Sequence, residues 1–213
     1  MNIINYFAKI TGILFSFLFN HRNITRFSIF LDKSYSFANA KYFHKFSSEA
    51  RISRTCVIVN PQCISIGYAT TIGYNCTITA WPGFNEFGSA PEIIIGDYTS
   101  IGSECHLTAI NKLIIGNNVL FGKKITVSDN SHGDTINIDL IVPPSKRHMF
   151  SKGPVIIEDN VWIGDKTTIL PGSVIGFGSI IGANSVVNGI IPPGSMAAGV
   201  PAKVIRKLNQ HIN

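Results

Sequence analysis

A chain that repeats every six residues leaves few folds open to it. Ile66-Gly67, Ile72-Gly73 and Ile78 step by six, as do Ile95-Gly96, Ile101-Gly102 and Leu107, and then Ile115-Gly116, Phe121-Gly122 and Val127. The longest run, Ile157, Ile163, Ile169, Ile175, Ile181 and Val187, is unbroken. A period of six matches neither the 3.6-residue helix nor a plain two-residue alternation. It matches a short strand, a tight turn and another short strand, each strand turning one aliphatic residue inward. Three such strands close a triangular coil of eighteen residues, and successive coils stack at the spacing of paired strands, about 4.8 Å. The glycine after each aliphatic, and the Asn or Asp two or three positions further on, predict corners in left-handed backbone conformations. Complete triplets number five, with partial coils before Ile66 and after Val187. The period does not set the hand of the coil.

Both ends of such a coil need covering. Residues 1–50 are aromatic-rich and aperiodic and are expected to form an N-terminal helical or irregular cap. Residues 51–190 form the coil, and 191–213 form a tail that breaks the hexads at Pro192 and Pro193 and ends in a basic segment expected to be helical. Within the cap, Ile3 to Phe19 is strongly apolar, and its polar or small residues Asn5, Lys9, Gly12 and Ser16 fall on one narrow helical stripe. The stretch is short for a spanning helix, carries a lysine in its middle and lacks a charged residue ahead of its apolar part. It reads as an interfacial or subunit-packing helix, with peripheral membrane contact through residues 3–19 and simple capping of the core both open.

The 213 residues, 45% hydrophobic and 14% charged, suit one main folded domain. The net charge of +6 is scattered, without the dense run of a nucleic-acid arm, and fits an anionic ligand or an acidic lipid surface. Cys56, Cys63, Cys76 and Cys105 show no CxxC pair or metal-ligand spacing and read as buried thiols in a reducing compartment. The expected location is therefore the cytoplasm, either free or at the inner face of the membrane.

Three insertions break the rhythm: Thr79 to Glu92, two residues between Leu107 and Ile115, and Ser128 to Val155. An insertion interrupts favourable stacking, so it points to a local use such as a binding wall or an oligomer contact. The last one carries His132. An imidazole titrates near neutral pH and can take a proton from a hydroxyl and return it within one turnover, which makes His132 a candidate general base. Its ordinary alternative is a solvated loop histidine.

The stretches GNNVLFGKKITVSDNSH (116–132), EDNVWIGDKTTILPGSVIG (158–176), IGANSVV (181–187) and IPPGSMAAGVPAKVIRK (191–207) resemble the galactoside and maltose O-acetyltransferases of the hexapeptide-repeat family. The resemblance implies an all-β fold, a left-handed parallel β-helix, and a homotrimer with each site between neighbouring subunits. It implies acetyl-CoA as co-substrate, no metal, and direct attack of an acceptor hydroxyl on the thioester with His132 as base. At matched positions, Trp162 would line the site beside acceptor and thioester. Gly164, Asp165, Gly182 and Ala183 would receive the pantetheine arm, and Lys203 and Arg206 would meet the CoA phosphates.

Where the family places an acceptor-binding asparagine, this chain has Glu104, with His106 two residues on. Glu104, Asp129 and Asp134 are alternative carboxylates for orienting His132 or receiving the acceptor, and spacing does not choose among them. Lys146, Arg147, His148 and Lys152 could hold an anionic sugar or a CoA phosphate, or form a solvated basic loop. The function implied is acetyl transfer to a sugar hydroxyl of a surface polysaccharide or its precursor, the nearest alternative being a xenobiotic acetyltransferase. A zinc-dependent carbonic anhydrase of this fold needs three converging histidines, and His106, His132 and His148 are too dispersed for that. A non-catalytic β-helix scaffold accounts for neither the His132 loop nor the tail.

Overall fold

Each hexad is one short strand and one corner. The computed structural model describes residues 3–18, 21–84, 88, 90–134, 136 and 140–208. One turn runs through the strands Glu92–Ile95, Ser100–Ile101 and His106–Ala109, and the next through Lys112–Ile115, Leu120–Phe121 and Thr126–Ser128. Equivalent strands pair in parallel, Ile95 over Ile115 on the first face, Ser100 over Leu120 on the second and Leu107 over Val127 on the third. The result is the left-handed parallel β-helix, with three faces of seven, eight and six strands.

The inward residues make three ladders. Ile66, Ile95, Ile115, Ile157, Ile175 and Ile191 descend the first face, none more than 5% exposed. Full burial of one such side chain contributes about 1.5–3 kcal/mol, which makes these ladders the main stabilising element of the coil. Six turns are complete, one more than the hexads suggest. The additional turn, Lys45–Phe46, Arg51–Ile52 and Val57–Val59, keeps the six-residue step in Phe46, Ile52 and Ile58. It lacks the glycine that marks the later hexads, which hides it in the sequence.

The corners correct one expectation. Left-handed φ falls on Asn75, Asn118, Asn160 and Asn184 as expected, and equally on Tyr98, Glu104 and Lys124, but not on the glycines that follow the inward aliphatics. Those glycines are required by stacking: a Cβ at Gly96 would sit 2.6 Å from the carbonyl oxygen of Gly116, and one at Gly164 would sit 2.6 Å from the amide nitrogen of Ala183. Side chains complete the corners, Asn117 Oδ1 accepting from the N–H of Asp97 at 2.7 Å and Asp159 Oδ1 from that of Asn117 at 2.7 Å. Cys56, Cys76 and Cys105 stack at another corner as buried free thiols, while Cys63 is only half-buried. The neighbouring Cys76 thiol and burial push Cys56 and Cys105 up, so both remain protonated.

Both ends differ in part from expectation. The helix α2 (His21–Asn39) caps the first turn. Its Asp32 is buried, takes the backbone N–H of Arg54 at 3.1 Å and pairs with the Arg54 guanidinium at 2.9 Å, and Ser36 Oγ takes the N–H of Ile52 at 2.9 Å. The helix α1 (Ile3–Leu18) does no such capping; every side chain described in it is exposed. No helix among the described residues is long and apolar enough to cross a membrane. At the other end, the segment expected as a basic helix is a strand, Ala202–Lys207, antiparallel to Ser195–Gly199 on the second face. The β-branched pair Val204-Ile205 and the turn at Gly199–Pro201 favour return along that open edge over a helix.

Candidate active site

At the end of the third-face strand Thr126–Ser128 the chain leaves the coil. Asp129 anchors the departure. It is fully buried, and its two oxygens accept the backbone N–H groups of Ile110 at 2.9 Å and Asn111 at 2.8 Å, with Asn130 Nδ2 adding a third bond at 3.0 Å. Burial raises the carboxyl above its usual range despite these donors. Two residues later, Ser131–His132 pairs antiparallel with Met149–Phe150, and the Gly133 N–H bonds the His148 carbonyl at 2.9 Å. His132 therefore stands on a two-stranded ribbon that closes the insertion, with its ring exposed to solvent.

The ribbon divides two clefts, and His132, Phe84 and Met149 line both. The larger, about 600 Å³, is bounded on its far side by Ser145, Arg147 and His148. The other, about 480 Å³, lies over the third face, with Thr77, Thr79, His106 and Thr108 below and Trp81 to one side. Trp81 is held by a hydrogen bond from its indole N–H to Thr108 Oγ1 at 3.2 Å, and its ring meets Phe84 edge-on at 6.1 Å between centroids. Thr79 is 5% exposed, and its hydroxyl has no hydrogen-bond partner among the described residues. An unpaired buried hydroxyl at the floor of a cleft is costly, and a polar ligand group would relieve it.

The expected donor-side residues gather elsewhere. Trp162 lies on the outside of the second face, half exposed, stacked between Leu120 and Ile180, and it lines neither cleft within the chain. Gly164 and Asp165 follow it at the corner between the second and third faces. Gly164 packs on Ala183, Gly182 packs on Ala198, and Ala198 pairs with Lys203, so these residues form one continuous strip down successive turns. Arg206 continues the strip opposite Met196, and Lys203 and Arg206 are both exposed. Asp165 also serves the coil, its Oδ1 accepting the N–H of Lys123 at 2.9 Å.

Each of the alternative carboxylates has a partner of its own. Asp129 has both oxygens on backbone amides, and Asp134 Oδ1 accepts the N–H of Ile136 at 2.9 Å. Glu104 sits at a left-handed corner and pairs with Lys124 at 3.4 Å, and it lines neither cleft. Of the basic residues in the insertion, Arg147 and His148 line the larger cleft and Lys146 and Lys152 do not. The described residues hold no group of three His, Cys, Asp or Glu placed to bind a metal. Thr79, Trp81, Phe84 and Met149 were not singled out by the sequence as site residues. The signal was there in one respect: the inward residues Ile78, Leu107 and Val127 precede all three insertions. On a three-sided coil the insertions therefore leave from one corner.

Comparison with known proteins agrees with this architecture. Residues 154–189 match the family described as bacterial transferase hexapeptide (six repeats). A protein of Escherichia coli (strain K12) named "Putative lipopolysaccharide biosynthesis O-acetyl transferase WbbJ" is 36% identical over 169 residues, covering 77% of this chain and 82% of that protein. The galactoside O-acetyltransferase of the same strain is 36% identical over 141 residues, 65% of this chain and 64% of its own length. Among solved structures, AntD, an N-acyltransferase from Bacillus cereus in complex with dTDP and 3-hydroxybutyryl-CoA, has a TM-score of 0.68 at 22% identity. The match covers 84% of this chain and 90% of that one, and shows the same fold.

Proposed function

The chain belongs to the hexapeptide-repeat acyltransferases, and from that premise we propose that it moves an acetyl group from acetyl-CoA to a sugar hydroxyl, as the similarity to a galactoside O-acetyltransferase supports. The observation that carries this reading is the position of His132, on a fixed ribbon between two clefts with an aromatic wall on one side. The imidazole takes the proton of the acceptor hydroxyl as its oxygen attacks the thioester carbonyl carbon. The carbon–sulfur bond then breaks, and the CoA thiolate leaves and takes the proton from the imidazolium. No acyl-enzyme forms.

The acceptor ring would lie against Trp81 and Phe84, with Thr79 offering its unpaired hydroxyl. The similarity to a protein named for lipopolysaccharide biosynthesis supports a surface polysaccharide or its precursor as acceptor. For the donor, the strip of Gly164, Asp165, Gly182 and Ala183 offers a narrow backbone path, ending at Lys203 and Arg206 for the phosphates. The likeness to an acyltransferase crystallised with an acyl-CoA is consistent with such a path. His132 and this strip flank the third face from its two edges, so in a homotrimer a neighbour's strip and Trp162 would complete each site. The exposed helix α1, with Lys9 as its charged residue, would rest on the membrane surface near a lipid-linked acceptor.

The reading is tested by following free-thiol release from acetyl-CoA across a panel of sugars, with His132→Ala run in parallel. Acceptor-dependent release that the variant loses supports it. Release unaffected by the variant assigns the base to another group.

A further inference from the structure

The two clefts beside His132 differ in chemistry. One is walled by Trp81 and Phe84 and floored by threonines, which suits the ring of a sugar, its C–H face on the aromatic rings and its hydroxyls on Thr79 and its neighbours. The other is bounded by Arg147, His148 and Ser145, and no acidic side chain lines it among the described residues. A neutral sugar would leave the charge of Arg147 unmatched there.

Arg147 is held in place for a task. It lies just before the strand Met149–Phe150 and lines the same cleft as Met149 and His132. Its Nε donates to the Val142 carbonyl at 2.9 Å, which fixes the plane of the guanidinium. No ion pair joins it to a carboxylate among the described residues. Its two terminal nitrogens therefore remain available on the cleft side, and a planar fork with two parallel donors matches a phosphate or carboxylate. Lys146, next to it in sequence, does not line the cleft and provides a control within the same loop.

We propose that the acceptor is an anionic sugar, its ring seated between the Trp81–Phe84 wall and Thr79 and its phosphate or carboxylate held by Arg147, so that His132 at the junction faces a hydroxyl between the two anchors. This rests on the acyl-transfer reading and adds the acceptor's chemical class to it. The Ser145 hydroxyl and the His148 ring supply further donors at the same end of the cleft.

The experiment uses the full chain with acetyl-CoA and three forms each of glucose and galactose: the neutral methyl glycoside, the 1-phosphate and the uronate. The expected result is that one anionic form exceeds the neutral one in kcat/KM by about ten- to a hundredfold, the range for a charge-assisted pair. The phosphate and uronate arms show which anion the site takes. Arg147→Gln should bring the anionic-to-neutral ratio toward one and Arg147→Lys restore part of it, while Lys146→Gln leaves the ratio as in the wild type. Equal use of neutral and anionic acceptors overturns the proposal. So does an Arg147→Gln variant whose defect lies in the KM for acetyl-CoA, because Arg147 would then serve the donor's phosphates. Thiol release with no acceptor at all would defeat the acyl-transfer reading instead. In that event equilibrium binding of each 1-phosphate against its parent sugar, to the wild type and to Arg147→Gln, still decides whether the anion site exists.

Discussion

Met149 lies directly across a two-stranded ribbon from His132, so one backbone pairing fixes both the candidate base and the wall shared by the two clefts. The ring of His132 projects from this ribbon without supporting the coil. His132→Ala should therefore keep the melting temperature and the affinity for CoA while turnover falls by about 10²–10⁴-fold, the usual scale of general-base loss. Thermal unfolding, CoA binding and thiol release on one preparation check all three.

Trp81 and Phe84 belong to an insertion that takes no part in the inward ladders, so removing their rings should affect ligand binding more than folding. Phe84→Ala is expected to raise the acceptor KM by roughly tenfold, the scale of one aromatic contact, with the KM for acetyl-CoA unchanged. Trp81→Phe additionally releases the Thr108 hydroxyl from its indole partner and should raise the acceptor KM further than loss of the ring edge alone. A rise confined to the donor KM would move the acceptor out of this cleft.

Asp129 is the structural carboxylate of the site. Asp129→Ala takes this acceptor from the buried N–H of Ile110 and the part-buried N–H of Asn111, which costs about 1–3 kcal/mol for a buried group and should lower the melting temperature by several degrees. Its folded pKa is raised above the ordinary 3.8 by burial, so the sign is opposite to that of a salt-bridged acid. The stability linked to this shift is fully present below pH 3.8 and is lost as pH rises through the raised value. Asp129→Asn, which does not titrate, should accordingly gain ground on the wild type as pH increases across that window, as read by denaturant unfolding at successive pH values.

Gly96 tests what the repeat demands of its glycines. Its φ is not left-handed, so Gly96→Ala meets no backbone strain. The new methyl would instead press on the Gly116 carbonyl and Asn117 Oδ1, both 2.6 Å away. Forcing two turns apart at that point should cost about 1–3 kcal/mol. Alanine at Gly83, where a Cβ meets nothing within 4 Å, faces only the cost of its positive φ of 83°. A tolerated Gly96→Ala would mean that the turns can slide apart.

The coil was legible because its inward ladders obey one period: Ile66, Ile95 and Ile115 announce both their spacing and their burial. The first turn was not, since Phe46, Ile52 and Ile58 keep the step but lack the glycine that draws attention to it. The tail misled for a different reason. AKVIRK has no strong helical or strand period of its own, and its conformation is set by the open edge of Ser195–Gly199, which only the folded coil supplies. His132 could be picked out as the imidazole standing where the chain leaves the coil, four residues after Ser128, whereas Thr79 and Trp81 gain their meaning only when two insertions, about fifty residues apart in sequence, leave the same corner. The separation of Trp162 from His132 within one chain follows from their different faces, and that could be counted in the hexads.

The helix α1 carries the remaining consequence. It is sixteen residues long, about 24 Å at the α-helical rise and shorter than the roughly 30 Å hydrocarbon core. Its apolar side chains Ile4, Phe7, Ile10 and Ile13 are exposed to water. Lys9, Arg22, Arg26 and Lys33 add positive charge to the helical pair, and its one acid, Asp32, is buried against Arg54. Such a pair favours an anionic surface, through burial of the apolar face and through attraction to the head groups. The full chain should co-sediment with vesicles containing phosphatidylglycerol, and less well with purely zwitterionic vesicles or at high salt. Phe7→Glu combined with Ile10→Glu should abolish sedimentation while thiol release with a soluble acceptor and the melting temperature hold, because neither side chain packs on the coil. If the double variant unfolded or lost activity on soluble acceptors, α1 would be a structural or subunit contact instead of a membrane one.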